Sequence, residues 1–191
     1  MLIDDSIIEG CVAGKRSAQS ALYRKYSSVM LAVCLRYAQN RDEAEDILQE
    51  AFLKIFQNIN SYRKEGSFEG WMKRIMINHA LNFYRKNRKL PFLEDINSIN
   101  EMEIMEKEEQ SVSHAPVSAE KLIALIQLLP PGYRMVFNMY VFEEYSHKEI
   151  SEALNISENT SKTQLLKARR MLRKKLFELN LMKNTELINE R

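Results

Sequence analysis

The residues of this 191-residue chain with the clearest chemical use lie between 146 and 176, where cations recur along an amphipathic helix. Ser146 with Glu149 three residues later predicts a capping box at the start of a short helix. Asn155 tolerates the left-handed backbone of a tight turn, and Ser157 can cap a second helix. The segment is therefore predicted to be a helix-turn-helix, a unit that binds double-stranded DNA.

The second helix of this pair sorts into two sides when residues are stepped by about 100°. One side is apolar: Leu165, Ala168, Met171, Leu172 and Leu176. The other is polar and basic: Lys162, Thr163, Leu166, Arg169, Arg170 and Arg173. Residues near the helix start, Lys162, Thr163 and Gln164, are placed for base edges, and Lys167 with the later arginines for phosphates. An outward Leu166 could contact a thymine methyl group. The alternative, a solvated basic face, is less favoured because the helix belongs to a capped pair.

Apolar residues also recur at intervals of three and four in the first 60 residues, which predicts two long helices packed together. These residues are Leu22, Tyr26, Val29, Met30, Val33 and Tyr37, then Ala44, Ile47, Leu48, Ala51, Phe52, Ile55 and Ile59. The turn between the helices is expected at 39–42. The opposite face of the second helix is an acidic ridge, Asp42, Glu43, Glu45, Asp46, Gln49, Glu50, Lys54 and Gln57. The ridge is either a solvated surface or a docking face for another protein.

A third helix is expected from about 67 to 86, with an apolar start and a basic, aromatic and amide-rich end. Phe68 and Trp71 share its apolar stripe and are expected in the core. Cations hold phosphates, aromatic rings stack on bases, and amides read an exposed base edge. The end of this helix therefore suits a single strand of nucleic acid.

The net charge of +2 conceals an uneven distribution along the chain. Residues 91–117 hold seven acidic residues against Lys107 alone, with too little apolar surface to offset the entropy of ordering them. We expect an all-α protein with two small helical domains, 1–90 and 118–180, joined by a flexible acidic linker over 91–117. Residues 181–191 are expected to form a frayed tail.

Several other classes of protein fit the sequence poorly. His79, His114 and His147 are scattered, and the chain has neither a glycine-rich phosphate loop nor clustered metal ligands, so we expect no enzyme, no cofactor and no metal site. Cys11 and Cys34 lie on apolar stripes and are expected as buried free thiols. No apolar stretch is long enough to span a bilayer, and the first thirty residues lack a signal-peptide core, so we expect a cytoplasmic protein without direct membrane insertion.

Four motifs together resemble the bacterial RNA polymerase sigma factors of the extracytoplasmic-function (ECF) type, in the sigma-70 family. The first is the acidic helix from Asp42 to Phe52, and the second runs from Phe68 to Ile75 with Asn78 and Ala80. The third is Leu129-Pro130 with Arg134 and Phe137, and the fourth is the helix-turn-helix from Tyr145. The resemblance covers about 7–90 and 118–178.

The resemblance implies a promoter-recognition subunit that binds core RNA polymerase and promoter DNA, with two sites on DNA and one on polymerase. It implies contacts to the single-stranded −10 element from Lys73, Arg74, Asn78, His79, Asn82, Tyr84, Arg85, Lys86 and Arg88. It implies contacts to the double-stranded −35 element from Ser157, Asn159, Thr160, Lys162, Thr163, Gln164, Leu166, Lys167 and Arg170. It implies polymerase contacts from Asp42, Glu45, Asp46, Gln49, Glu50, Phe52 and Gln57. The acidic linker would then thread the basic interior of the polymerase, and an anti-sigma factor is an expected partner.

Two features depart from the family pattern. Asn155 stands where glycine is frequent, and Lys162 with Lys167 stand where arginine is frequent. Lysine lacks the bidentate fork that reads guanine, so a looser or different −35 preference is expected.

The rival hypotheses are a DNA-binding regulator independent of polymerase, which would need a dimer interface, and a small nuclease, which would need metal ligands or a general base.

Overall fold

A computed structural model describes residues 4–87 and 118–189 of the chain, with side chains over 5–85 and 118–179. Every regular element in these ranges is helical, which confirms the expected all-α class. The chain divides into two compact units, Met1–Lys89 and Leu90–Arg191. The predicted acidic linker, 91–117, lies outside the described residues.

Over residues 4–87, the N-terminal unit contains four α-helices and one turn of 3-10 helix. They are α1 (Asp4–Val12), α2 (Arg16–Tyr37), α3 (Arg41–Asn58), the 3-10 turn (Ile59–Ser61) and α4 (Phe68–Asn87). Helices α2, α3 and α4 pack against one another, and α1 packs against α2. Helix α1 is not among the helices expected from the sequence, because its apolar stripe is short.

The predicted apolar stripes form the core of this unit. Leu22 and Met30 of α2, Ile55 of α3, and Met72 and Met76 of α4 are fully buried. Val29, which was assigned to the same stripe, is instead exposed. The turn between α2 and α3 lies where it was expected: the side chain of Asn40 accepts a hydrogen bond from the Glu43 amide at 2.8 Å and so caps α3.

In the described part of the C-terminal unit, 118–189, there are four helices: α5 (Ala119–Gln127), α6 (Pro131–Val141), α7 (His147–Leu154) and α8 (Glu158–Asn189). Helix α8 packs against α6 and α7, burying Leu165, Ala168 and Leu172. Helix α8 continues to Asn189, into the segment 181–191 for which a frayed tail is expected. Neither glycine nor proline occurs between 158 and 189, so no residue in this segment ends the helix.

Cys11 and Cys34 are buried free thiols, as expected. The Sγ atom of Cys34 lies 3.9 Å from the Sδ atom of Met76, which joins α2 to α4. Within the described ranges, none of the helices combines the length and the apolar character needed to cross a bilayer.

Candidate nucleic-acid and polymerase interfaces

The helix-turn-helix has the local geometry that its sequence predicts. The Ser146 side chain accepts from the Glu149 amide, and the Glu149 carboxylate accepts from the Ser146 amide at 2.8 Å, which completes the capping box. The Ser146 hydroxyl also donates to the Glu149 carboxylate at 2.7 Å, and this bond, together with the one from the Ser146 amide, lowers the pKa of Glu149 below its usual value. Asn155 ends α7 in the left-handed conformation (φ 55°, ψ 52°), and Ser157 Oγ accepts from the Thr160 amide at 3.0 Å to start α8. The turn is therefore fixed by residues within it.

One face of α8 presents the polar residues assigned to the upstream element. The exposed members are Ser157, Asn159, Lys162, Thr163, Leu166 and Arg170, while Thr160 and Lys167 are half-buried. Leu166 is 38% exposed, so an apolar contact surface lies within this polar face. Lys167 Nζ lies 6.0 Å from the centre of the Tyr133 ring, which holds the cation against α6.

Gln164 was assigned to this face, and the structure corrects that assignment. Its side chain is buried, 7% exposed, on the same side of α8 as Leu165 and Ala168. The position lies at the edge of the apolar stripe, where the sequence pattern does not distinguish a polar residue that is buried from one that faces solvent.

The outward side of α4 brings together most of the residues that were assigned to contacts with the single-stranded −10 element. Arg74, Asn78, Asn82 and Arg85 are exposed, and Lys73 and Tyr84 are half-buried. Lys73 Nζ pairs with Glu69 at 2.7 Å, and Arg85 Nη1 donates to Asn82 Oδ1 at 3.5 Å. The side chain of Lys86 and all of Arg88 lie outside the described residues. The described members form a row of cations and amides along about three turns of helix.

His79 was predicted on this DNA-facing side, and its position corrects the prediction. The residue is 6% exposed and points toward α3, where its Nε2 atom lies 3.0 Å from Oε2 of Glu50. Its neighbours in sequence, Ala80 and Leu81, are also buried. His79 thus belongs to the packing between α3 and α4.

The segment between α3 and α4 adds a feature that the sequence analysis missed. A cavity of about 360 Å³ is lined by residues of this segment and of the start of α4: Ser61, Tyr62, Arg63, Glu65, Gly66, Ser67, Gly70, Trp71 and Arg74. The Tyr62 hydroxyl donates to the Gly66 carbonyl at 2.8 Å. Lys64 and Gly66 both have positive φ, at 61° and 109°. The glycine in this polar stretch was the available signal for the turn.

Aromatic rings form one wall of this cavity. The rings of Phe68 and Trp71 stack with centroids 5.5 Å apart, and Tyr62 lies 5.6 Å from Trp71. Phe68 is buried as expected, whereas Trp71 is half-buried and lines the cavity. An aromatic wall beside Arg63 and Arg74 offers a planar ligand a stacking surface, and it offers an attached phosphate positive charge.

The acidic ridge on α3 is exposed along most of its length. Asp42, Asp46, Gln49, Glu50 and Gln57 are exposed and Glu45 is half-buried, paired with Arg41 at 2.7 Å. Phe52 does not belong to this surface, which corrects its assignment: it is 2% exposed, and its ring lies 4.7 Å from the ring of Tyr23. Leu53, its neighbour, is 60% exposed and supplies the apolar part of this side of α3.

Comparisons with known proteins cover both units. The family model for Sigma-70 region 2 matches residues 22–90, and the model for Sigma-70, region 4 matches residues 119–172. The chain is 30% identical to the ECF RNA polymerase sigma factor SigW of Bacillus subtilis, over 87% of this chain and 92% of that protein. It is 27% identical to the RNA polymerase sigma-H factor of Pseudomonas aeruginosa, over 92% of this chain and 95% of that protein.

A solved structure is also similar to the chain, at lower sequence identity. The sigma factor RpoE of Bartonella quintana, in complex with the anti-sigma factor NepR, matches with a TM-score of 0.49 and 14% identity, over 83% of this chain and 96% of that chain. The two family models together cover more than half of the chain, and SigW aligns with most of it. On these matches and the helix-turn-helix described above, the chain belongs to the sigma-70 family and is an RNA polymerase sigma factor of the ECF type, which directs promoter-specific initiation of transcription.

Proposed function

We propose that the two units divide the work of a sigma factor: the N-terminal unit docks on core polymerase and captures the −10 strand, and the C-terminal helix-turn-helix reads the −35 element. The observation that carries this proposal is the exposed face of α8, in which Lys162, Thr163, Leu166 and Arg170 lie at spacings of one, three and four. Residues three and four apart share one side of a helix, and Lys162 and Thr163, which are one apart, lie at the two edges of this face. The face is long enough to contact both base edges and phosphates in a major groove.

The proposed −10 surface combines the row on α4 with the cavity beside it. Arg74 belongs to both, since it is exposed on α4 and lines the cavity. A strand held along Asn78, Asn82 and Arg85 would pass the cavity opening, where a base turned out of the stack can lie against Trp71. Binding an extruded base lowers the free energy of the melted promoter without any bond being made or broken. The proposed role is therefore non-catalytic, and the polymerase performs the chemistry in the cytoplasm.

The proposed polymerase surface is the ridge of α3. Its acidic side chains suit a basic surface on the partner, and Leu53 adds apolar area at its edge. An anti-sigma factor would act by covering this ridge or the DNA-facing side of α4. Affinity purification from the source organism should recover such an inhibitor with the wild-type chain, and a wild-type preparation that yields polymerase subunits alone would contradict this part of the proposal.

The division of work is tested by three charge-changing variants in separate binding assays. Asp46→Lys should weaken assembly with core polymerase, Arg74→Ala should weaken binding of a single-stranded −10 oligonucleotide to the holoenzyme, and Lys162→Ala should weaken use of the upstream duplex element. Arg74→Ala and Lys162→Ala should each leave the other two assays nearly unchanged, and Asp46→Lys should do so once core polymerase is added at a concentration that saturates assembly.

Arg24→Ala is the matched control, because Arg24 is an exposed arginine on α2, a helix that carries none of the three proposed surfaces. It should behave as wild type in all three assays. Loss of the same activity in all three variants would contradict the assignment of separate surfaces.

A further inference from the structure

His147 lies at the first position of α7, beside the proposed −35 surface, and its side chain has a defined environment. Its Nδ1 atom is 2.9 Å from Oγ of Ser161, which is fully buried on α8. Its ring stacks on Tyr140 of α6, with centroids 4.7 Å apart and an angle of 25° between the planes. The imidazole is therefore held by both neighbouring helices and has little rotational freedom.

The other nitrogen of this ring is available to a ligand. The imidazole is half-exposed, and across the two described ranges Nε2 accepts or donates no hydrogen bond. Ser161 satisfies Nδ1 in either protonation state, because a hydroxyl can donate to a neutral ring nitrogen or accept from a protonated one. Protonation thus changes the charge of the ring while its anchor stays in place.

Several charged side chains surround the ring. Arg169 of α8 lies over Tyr140, the ring on which His147 stacks, and is 5.6 Å from the centre of that ring. Burial lowers the pKa of His147 below its usual value, the positive charge of Lys162 lowers it further, Glu158 opposes this, and Arg169 adds a smaller lowering. Lys148 and Glu149 follow on α7 itself, and Glu149 is engaged in the capping box. The group is predominantly positive.

We propose that His147, Lys162 and Arg169 form a binding site for a phosphate of the DNA backbone next to the −35 element, and that His147 contributes to it in its protonated form. The inference rests on the proposed function, and it adds a phosphate contact from the first helix of the pair. In helix-turn-helix proteins the first helix crosses the DNA backbone, and His147 is the first residue of that helix here.

The direction of the pH effect follows from charge. A phosphate next to the ring favours the imidazolium, so DNA raises the pKa of His147 and binding takes up a proton. Affinity therefore increases as pH falls through the pKa of the bound state, and the gain is complete below the pKa of the free state. Each unit by which DNA raises this pKa corresponds to about a tenfold gain in affinity.

The test compares the full-length wild-type chain with His147→Gln, using fluorescein-labelled duplex DNA of random sequence, because phosphate contacts do not depend on sequence. From about pH 8 to about pH 5, wild-type affinity should increase by about fivefold to tenfold more than that of His147→Gln. His79 and His114 are present in both proteins, so their contributions cancel in the comparison. The wild-type salt dependence should also steepen at low pH by about one unit of log affinity per log salt, a change that a purely structural role would not produce.

A second measurement does not depend on the folding of that variant. The pH midpoint of the His147 ring protons, followed by NMR in the full chain, should rise when duplex DNA is added, and Lys162→Gln should raise it in the free chain. Equal pH dependence of the two proteins, or a midpoint that DNA does not move, would overturn the phosphate site and leave the sigma assignment standing. Absence of duplex binding at every pH would overturn both the site and the proposed −35 readout, while core-polymerase binding would still test the N-terminal unit independently.

Discussion

The Nε2 atom of His79 lies 3.0 Å from Oε2 of Glu50, so one hydrogen bond joins the helix that carries the proposed DNA contacts to the helix that carries the proposed polymerase contacts. The His79 side chain is 7% exposed and that of Glu50 is 60% exposed. The interaction thus has one end in the core and the other on the acidic ridge, and its two partners should respond differently to substitution.

His79→Ala should destabilise the N-terminal unit by about 2 kcal/mol, because it removes a buried ring and a hydrogen bond together. Glu50→Gln keeps an acceptor for His79 and should cost less than about 1 kcal/mol. Chemical denaturation of both variants and the wild type gives the comparison. A His79→Ala protein that unfolds like the wild type and loses only DNA affinity would return His79 to the DNA surface.

The close packing of α1 on α2 leaves no room for a side chain at Gly10. A Cβ atom added at Gly10 would lie 2.6 Å from Cβ of Ala18, closer than packed atoms come. Gly10→Ala should therefore destabilise by about 1–3 kcal/mol, despite the roughly 1 kcal/mol gain in helix propensity. Adding Ala18→Gly should recover part of the loss, as measured by thermal unfolding of the single and double variants. Stabilisation by Gly10→Ala alone would show that the two helices do not meet there.

The left-handed backbone at Asn155 determines which substitutions the turn of the helix-turn-helix tolerates. Because its φ is 55°, glycine should be accepted with no loss of stability, and valine should cost about 1–2 kcal/mol. The measurement is unfolding of the full chain followed by loss of helical signal, with duplex binding as a second readout. Equal stability of the glycine and valine variants would contradict the left-handed turn.

The buried thiol of Cys34 is expected to make the folded state less stable at alkaline pH. Burial raises the pKa of this thiol from its ordinary value of 9.0 to about 12. The folded state therefore keeps its proton where the unfolded state loses it, so the stabilising contribution is full below pH 9 and declines as pH rises from 9 toward 12. The free energy of unfolding should fall less between about pH 8 and about pH 10.5 in Cys34→Ala than in the wild type. An identical fall in both proteins would rule out this linkage.

The sequence predicts the helix-turn-helix almost residue by residue because its determinants are local. The Ser146–Glu149 pair, Asn155 and Ser157 each act on neighbouring backbone groups, so their roles follow from spacing alone. His79, Phe52 and Gln164 were misassigned because their burial depends on a partner helix that the spacing does not identify. The cavity beside Trp71 was missed for a similar reason, since it depends on the backbone of Lys64 and Gly66 in an irregular segment.

The most direct test of the central claim is transcription by purified core polymerase on fragmented DNA from the source organism, with and without this protein, with start sites mapped. The account predicts new start sites that share two upstream elements. Asn78→Ala should then impair promoter opening more than core binding, and Lys162→Ala should weaken or relax use of the upstream element. Absence of new start sites, together with failure of the protein to co-migrate with core polymerase, would contradict the account.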